Sequence, residues 1–514
     1  MHRLVCLGDS VTQGFKSGAI FEPNLSFPAI IAREMGLAEA KFRHPAFSGE
    51  GGLPINIEHL LRRLDREFGR GVRPWEIPLA AIQLRRWMDR IEDYWERGAG
   101  NEPLPHGGPH QNLAVWGFEM QDAYQLSAGL CEEIIDGPSD AWLVQVPEYA
   151  MYRTARRVLN PTHSTRREDL EATQLQRAAE LARDGGIENL IVFLGGNNVL
   201  STVTRLRLEE STDEDLEQID PRGRKATLYR PEHFDELLKR LMGKLEALGD
   251  NGGRVDRIFW GTVPPVTIPP VTNGVGGRMA SAGNLQSPYG SDDDPRWFRR
   301  YFEAYTRPWV SASAFRERED PHLRGAEIIR IDQVIARYRE ILKRRVREHN
   351  EARGRAGLPE DWLVVDTHWA LERIAYRRYL EDPSVPPPPG WSRYQMPEPY
   401  HRAKLDTRFL RAREGKRVAG GLFGLDGVHP TTAGYGLVAQ EFIDVMEGAG
   451  VPFFHGDGRT PRSGPIAVDF ERVMQLDSLI ENPPQTLDDL WEKLVDSDQI
   501  LALFERALRA FSSG

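Results

Sequence analysis

The sequence predicts an α/β fold built on a parallel sheet, because strand-like and helix-like segments alternate along the chain. Short apolar runs alternate along the chain with longer segments of helical periodicity, which is the order expected of β-α-β units. The predicted strands are residues 4–7, 141–146, 190–194, 257–263 and 362–366. The stretch 41–54 holds a further short strand candidate, the second in chain order, which ends in a glycine-rich loop.

Helical spacing of apolar residues predicts helices between these strands. Pro28 lies in the first turn of the first helix, where proline is favoured, and Gly185 follows the third at a position typical of a helix C-terminus. The predicted helices are residues 27–35, 57–68, 167–183, 231–248, 331–350 and 431–446. The chain then divides into a domain over 1–450, with insertions near 70–140, 265–325 and 380–420, and a helical C-terminal appendage over 451–514.

Composition restricts the class of protein. The 514 residues suffice for two to four ordinary domains, or for one large α/β domain with insertions. The net charge of −10 argues against a nucleic-acid partner, and no apolar window is long enough to predict a transmembrane helix. Because the chain starts directly on a short strand with no apolar leader, it is predicted to be cytoplasmic. A secreted protein whose leader has been removed is the alternative.

Polar or glycine residues follow the predicted strands where ligand groups gather in an open parallel sheet, at the carboxyl ends. Ser10 follows the first strand, the loop 48–52 follows the second candidate, and Asn197 follows the strand at 190–194. Asp426 and His429 come just before the last long helix. These segments are therefore expected to meet at one edge of the sheet.

The residue types at these positions suit acyl transfer, which needs a nucleophile, a base, a group that orients the base and donors for an oxyanion. Ser10 supplies a hydroxyl, His429 can take its proton, and Asp426 can fix the tautomer of the imidazole. The Gly49 N–H and the Asn197 side-chain amide are candidate oxyanion donors, since glycine lets the backbone approach a substrate closely.

Three motifs resemble sequence blocks of the GDSL family of esterases and lipases, also called SGNH hydrolases. GDSVTQG at 8–14 is similar to the first block, GGNN at 195–198 to the G-x-N-D block, and DGVHPTTAGY at 426–435 to the final D-x-x-H block. The resemblance implies a three-layer α/β/α, flavodoxin-like core within residues 1–450. It also implies hydrolysis of carboxylic esters through an acyl-enzyme, without a metal or a cofactor.

The resemblance also implies roles for single residues. Ser10 becomes the nucleophile, His429 the base and Asp426 its orienting group. The oxyanion hole is then made of the Ser10 N–H, the Gly49 N–H and the Asn197 side chain.

The match is weakest in two places. Gly49 follows Ser48 as the family pattern has it, but Gly51 is an alternative donor. Asn198 stands where the family has aspartate, so the hydrogen-bond network that supports the oxyanion hole is in doubt.

Other functions are less well supported by the sequence. No G-x-S-x-G elbow, dinucleotide fingerprint or P-loop is present, and His106 and His110 lie in a glycine-rich loop where their spacing does not converge on a metal. The predicted partner is a small-molecule, carbohydrate or lipid ester. Two alternatives stay open: transfer of the acyl group to a sugar or another alcohol, and a non-catalytic binding module with the same fold.

Overall fold

The structure, a computed structural model, describes residues 1–69, 72–105, 108–137, 146–250, 252–279, 301–375 and 394–485. Its strands are β1 (Val5–Gly8), β2 (Ala19–Ile20), β3 (Leu53–Pro54), β4 (Ile187–Phe193), β5 (Val255–Gly261), β6 (Asn273–Arg278), β7 (Phe302–Thr306), β8 (Leu323–Arg324), β9 (Trp362–Val365), β10 (Arg411–Arg413) and β11 (Lys416–Ala419).

The helices of the described residues follow in chain order. They are α1 (Ser10–Gln13), α2 (Phe27–Glu34), α3 (Ile57–Phe68), α4 (Ile77–Glu96), α5 (Asp122–Gln125), α6 (Ala128–Ile135), α7 (Ala150–Leu159), α8 (Arg167–Leu170), α9 (Gln174–Arg183), α10 (Asn197–Arg205), α11 (Asp213–Glu217), α12 (Pro231–Asp250), α13 (Gly325–Arg355), α14 (Thr367–Ile374), α15 (Glu398–Ala403), α16 (Thr432–Gly448), α17 (Phe470–Gln475) and α18 (Ser478–Glu481).

A four-stranded parallel sheet forms the centre of an α/β fold, with the strand order β1-β4-β5-β9. Cys6 lies opposite Ile191, Ile191 opposite Phe259, and Phe259 opposite Leu363. All four strands were predicted to within a few residues, and residues 141–145 of the remaining predicted strand lie outside the described residues. The carboxyl ends of the four strands share one edge of the sheet.

Residues 111–115 run beside β1 on the side away from β4. The Cys6 N–H donates to Gln111 O at 2.8 Å, the Leu113 N–H to Cys6 O at 3.0 Å, and the Val115 N–H to Gly8 O at 3.1 Å. The sequence had placed this segment within an insertion near 70–140, and that prediction is wrong for residues 111–115.

The prediction of a second strand of the sheet within residues 41–54 is also wrong. Residues 41–52 contain no strand, and β3 pairs antiparallel with β2 outside the main sheet. The glycine-rich loop 48–52 therefore does not follow a strand of the parallel sheet.

Helices bury both faces of the sheet. Val5 and Leu7 of β1 point into one core cluster, which includes residues of α9, α12 and α13. Leu4 and Cys6, whose side chains alternate with these, point into a second cluster with residues of α2 and α16. Burial on both faces is why the strands are almost continuously apolar.

Most predicted helices are confirmed, and one is divided. The prediction at 167–183 is two helices, α8 and α9, because Thr173 starts a new helix there. Its hydroxyl accepts the Gln176 N–H and the Gln176 side chain accepts the Thr173 N–H, a reciprocal cap.

The part of the predicted C-terminal appendage that the structure describes, up to residue 485, contributes Val451, Phe453 and Val473 to the core cluster beside α2 and α16. Among the helices of the described chain, none combines the length and the hydropathy needed to span a bilayer.

Candidate active site

Ser10 lies where the first strand ends and a short helix begins. β1 ends at Gly8, and Asp9 caps α1 by accepting the Val11 N–H on Oδ1 at 3.1 Å. Aspartate is favoured at this position because its side chain satisfies a helix N–H that has no intrahelical acceptor. Ser10 is thus the first residue of α1, and only 5% of its surface is exposed.

Asp426 and His429 form a buried pair in the loop before α16. Asp426 Oδ1 accepts the N–H groups of Val428 at 2.8 Å and of His429 at 2.9 Å, so the aspartate stabilises its own turn. Gly427 has φ of +68°, and a Cβ there would lie 3.1 Å from the Val271 backbone. The turn brings His429 Nδ1 to 3.1 Å from Asp426 Oδ2. With Nδ1–H donating to the carboxylate, a neutral His429 has Nε2 as its acceptor.

The Asp426 carboxylate is ionised although it is buried. Burial acts to raise its pKa, but the charge of His429 and the hydrogen bonds from the His429 side chain and from the N–H groups of Val428 and His429 outweigh burial and lower the pKa. Oδ2 also accepts the Gly18 N–H at 2.9 Å. The carboxylate therefore accepts four hydrogen bonds, two on each oxygen.

Hydrogen bonds join this loop to the segment that follows α1. Gly18 and Asp426 are separated by 408 positions in the sequence, as are Ser17 and Leu425, whose N–H donates to the Ser17 hydroxyl at 3.1 Å. These contacts hold the two ends of the domain together at the site.

Ser10, His429 and Asn197 line a single pocket of about 130 Å³. The Phe15 ring packs against the imidazole, with 4.5 Å between the ring centroids. Within the described residues no hydrogen bond joins Ser10 to His429, and in enzymes without substrate such bonds are often long and tighten when substrate binds. The structure thus brings together four of the residues that the sequence singled out: Ser10, Asn197, Asp426 and His429.

Gly49 lies apart from this pocket. It is exposed, and its loop packs against Tyr94, whose hydroxyl donates to Ser48 O at 3.3 Å. Gly51, the alternative, packs against His59, and neither glycine lines the pocket. The assignment of the Gly49 N–H to the oxyanion hole is corrected, because no strand of the parallel sheet leads into this loop.

A different glycine, Gly117, does not line the pocket either, but it follows residues 111–115 at the edge of the sheet where the site is. The preceding Trp116 N–H donates to Gln13 Oε1 at 2.9 Å, and the following Phe118 O accepts a hydrogen bond from Asn197 Nδ2 at 2.8 Å. Across the described part of the chain, the Gly117 N–H has no hydrogen-bond partner. The Gly117 N–H is therefore a free backbone donor among the described residues, and the residues on either side of it contact α1 and Asn197 respectively.

The backbone conformation and the close packing at position 117 both favour glycine. Its φ is +83°, and a Cβ there would lie 2.9 Å from the Met151 sulfur. Sequence reasoning missed this residue, although a short apolar run, Leu113 to Val115, precedes it. That run followed by Trp-Gly is the signal that could have found it.

The GGNN motif leads from β4 into α10, and Asn198 lies at the centre of a buried polar network. Asn198 Oδ1 accepts the Met120 N–H at 3.0 Å, and its Nδ2 donates to Gln121 Oε1 at 3.2 Å. Gln121 Nε2 in turn donates to the Tyr229 hydroxyl at 2.8 Å. The amide therefore holds residues 120–121, close to Gly117 in sequence, although the aspartate of the family motif is absent.

Two carboxyl groups near the site, the buried Asp9 and the part-buried Glu119, have raised pKa values. Burial raises the pKa of Asp9, which lines the pocket, to about 7, against the opposing effects of the Val11 N–H and the charge of His429. Burial likewise raises the pKa of Glu119 to about 7, although Arg224 lies 3.0 Å away and opposes it.

In the described ranges no group of three or more histidine, cysteine or acidic side chains is placed to hold a metal ion, and His106 lies outside them. The fold and the site define an α/β protein with a buried serine and an aspartate–histidine pair at one pocket. Comparison of the chain with family models, with curated proteins and with solved structures finds no match.

Proposed function

We propose that the protein is a serine ester hydrolase of the SGNH type. One observation carries the proposal: Ser10, His429 and the Asn197 amide line the same pocket, and Asp426 accepts from the second ring nitrogen of His429. A hydroxyl, an imidazole held by a carboxylate, and amide donors are the groups that acyl transfer needs.

The arrangement of the sheet supports a flavodoxin-like, three-layer core. With residues 111–115 beside β1, the segments lie across the sheet as 111–115, β1, β4, β5 and β9. Numbered by their position along the chain, these segments lie in the order 2-1-3-4-5, which is the flavodoxin-like order. In sheets of this kind ligands bind at the point where the order reverses. Here the order reverses between β1 and β4, and the segments that follow these two strands carry Ser10 and Asn197.

In the acylation step, Ser10 Oγ attacks the carbonyl carbon of the ester while its proton passes to His429 Nε2. The carbonyl π electrons move to the oxygen, and the Ser10 N–H, the Gly117 N–H and the Asn197 amide stabilise the oxyanion. Asp426 stabilises the imidazolium. The oxyanion then collapses, the ester C–O bond breaks, and the leaving alcohol takes the proton from Nε2.

Deacylation repeats these steps with water as the nucleophile. A water oxygen attacks the acyl carbon while its proton passes to His429 Nε2. The new oxyanion collapses, the bond from Ser10 Oγ to the acyl carbon breaks, and Oγ recovers the proton from Nε2. The products are a carboxylic acid and an alcohol, and the enzyme returns to its starting state.

Reaction with a fluorophosphonate tests the proposal. The reagent forms a bond to an activated serine Oγ with loss of fluoride, and we expect one equivalent of label on Ser10 by peptide mass spectrometry. Ser10→Ala should abolish labelling and lower kcat on p-nitrophenyl esters by about 10⁴–10⁶. The matched control is Ser48→Ala, because Ser48 is exposed and lies beside Gly49, outside the pocket. A Ser10→Ala enzyme that keeps most of its turnover would end the assignment.

The same preparation separates the alternatives. Turnover in the presence of glycerol or a sugar, with product analysis, gives mainly the free acid for a hydrolase and mainly the new ester for an acyltransferase. A binding module would leave Ser10 unlabelled and would turn over no ester.

A further inference from the structure

The pocket at Ser10 extends into a slot between two helices. Thr367, Ala370, Leu371 and Ile374 form one face of α14 at helical spacing, and they line the pocket. Gly434, Leu437, Val438 and Glu441 do the same on α16, which begins three residues after His429. The slot therefore starts at the catalytic residues and runs along both helices.

The remaining walls are also apolar. Pro264, Pro265, Val266 and Pro269, which follow β5, line the pocket. Phe193 at the end of β4 lines it as well. Few polar side chains face the slot beyond the catalytic residues, so it offers little to hydrogen-bond a sugar but much apolar surface to a hydrocarbon chain.

The lining residues of α16 end in a polar side chain. Glu441 lies about two helical turns beyond Gly434 on α16, and it accepts a hydrogen bond from the Tyr394 hydroxyl at 2.8 Å. Glu441 is the lining residue of α16 that lies farthest along the helix from His429, so the apolar part of this wall spans about two helical turns.

We infer that the slot binds an unbranched aliphatic acyl group of about six carbons, because the space between the two helix faces is elongated and its volume of about 130 Å³ is close to the ~150 Å³ of an apolar cavity that holds the six carbons of benzene. This inference rests on the proposed function, since it assigns the slot to the part of the ester that stays bonded to Ser10. The acyl chain must remain in place through both half-reactions, whereas the alcohol leaves after the first.

Two ester series test the inference. In p-nitrophenyl esters, kcat/KM should rise about fourfold for each methylene from acetyl to hexanoyl and should not rise further beyond about octanoyl. In alkyl acetates of increasing alcohol length it should stay nearly constant. Rising kcat/KM in the alcohol series, or a preference for acetyl in the acyl series, would overturn the inference while leaving ester hydrolysis established.

A substitution that fills the slot can be compared with the same substitution on an exposed surface. Ala370→Leu puts a larger side chain into the slot and should lower the ratio of hexanoyl to acetyl activity about tenfold or more, since it takes the space of two or three methylenes. Ala352→Leu makes the same change on the exposed side of α13 and should leave the ratio unchanged. Turnover of the acetyl ester shows that a variant is folded. If Ala370→Leu does not fold, Val438→Phe fills the slot from α16. An unchanged ratio in the folded variant contradicts the inference.

Binding of hexanoate, measured by calorimetry, tests the slot independently of ester hydrolysis. Hexanoate should bind more tightly than acetate, and Ala370→Leu should remove that preference. If Ser10 is unreactive but hexanoate still binds this way, the proposed hydrolase is wrong and the aliphatic slot is right. If acetate and hexanoate bind equally, the slot is wrong whatever Ser10 does.

Discussion

Replacing Asp426 by asparagine tests whether the aspartate–histidine pair works as the proposed mechanism requires. The carboxylate accepts four hydrogen bonds, from the backbone N–H groups of Gly18, Val428 and His429 and from His429 Nδ1. An asparagine has one oxygen, so in either orientation its NH₂ group faces two donors.

The structure sets the size of the effect on stability. The NH₂ group should face Gly18 and Nδ1, because Nδ1 can become an acceptor whereas the backbone N–H groups on the other side cannot. Only the Gly18 N–H then loses its charged acceptor, so the free energy of unfolding should fall by about 1.5–3 kcal/mol. The effect on kcat comes from the tautomer. An NH₂ group facing Nδ1 makes that nitrogen the acceptor, the proton moves to Nε2, and Nε2 can no longer take the Ser10 proton. A loss of about 10⁴ in kcat follows.

The assay combines kcat on a hexanoyl ester with urea unfolding. Asp215→Asn is the control, because Asp215 is also buried and accepts the N–H groups of Thr212, Lys225 and Ala226 but does not line the pocket. It should cost similar stability and leave kcat nearly unchanged. A folded Asp426→Asn enzyme that keeps kcat within about tenfold of the parent would refute this account of His429.

Two further substitutions test neighbouring groups. Asp9→Asn keeps the cap on the Val11 N–H but cannot ionise. Because the folded pKa of Asp9 is about 7, above its unfolded value, the parent protein loses stability as the pH rises from about 4 to 7, by up to about 4 kcal/mol. The variant should therefore match the parent in urea unfolding at pH 4 and exceed it at pH 8, and equal midpoints at pH 8 would contradict this. Asn197→Ala removes a side-chain oxyanion donor and should lower kcat about 10²–10³ with little change in KM, and a normal kcat would remove Asn197 from the proposed hole.

The strands of the parallel sheet were predictable because burial on both faces leaves a nearly continuous apolar run in each. Residues 111–115 lack that signal. Their apolar part is only three residues long, and the two residues before it are polar. Gln111 accepts the Arg43 N–H and Asn112 donates to Thr12 O, so both are satisfied by partners far away in the sequence. No local pattern records such partners.

The glycine assignment failed for a similar reason. Gly49 and Gly117 both have positive φ, at +121° and +83°, so neither backbone conformation marks the oxyanion donor. The two glycines differ in the segment that precedes each of them. Residues 111–115, before Gly117, are hydrogen-bonded to β1, whereas no strand of the parallel sheet precedes Gly49. By contrast, the Asp426–His429 pair was predictable, because a three-residue spacing lets one turn bring both side chains together.

Contacts of the residues just after α1 explain why Ser10 and His429 share a pocket although they lie far apart in the sequence. Lys16 is buried, and its ammonium bonds both Glu22, at 2.7 Å, and the hydroxyl of Thr432 at the start of α16, at 2.8 Å. A buried ammonium is costly unless it is paired and hydrogen-bonded, so this bond favours one arrangement of α16 relative to α1. The Tyr435 hydroxyl, one turn further along α16, donates to Phe15 O and adds a second constraint. The segments that carry the serine and the histidine are thus bonded directly to each other, which keeps the two residues at one pocket.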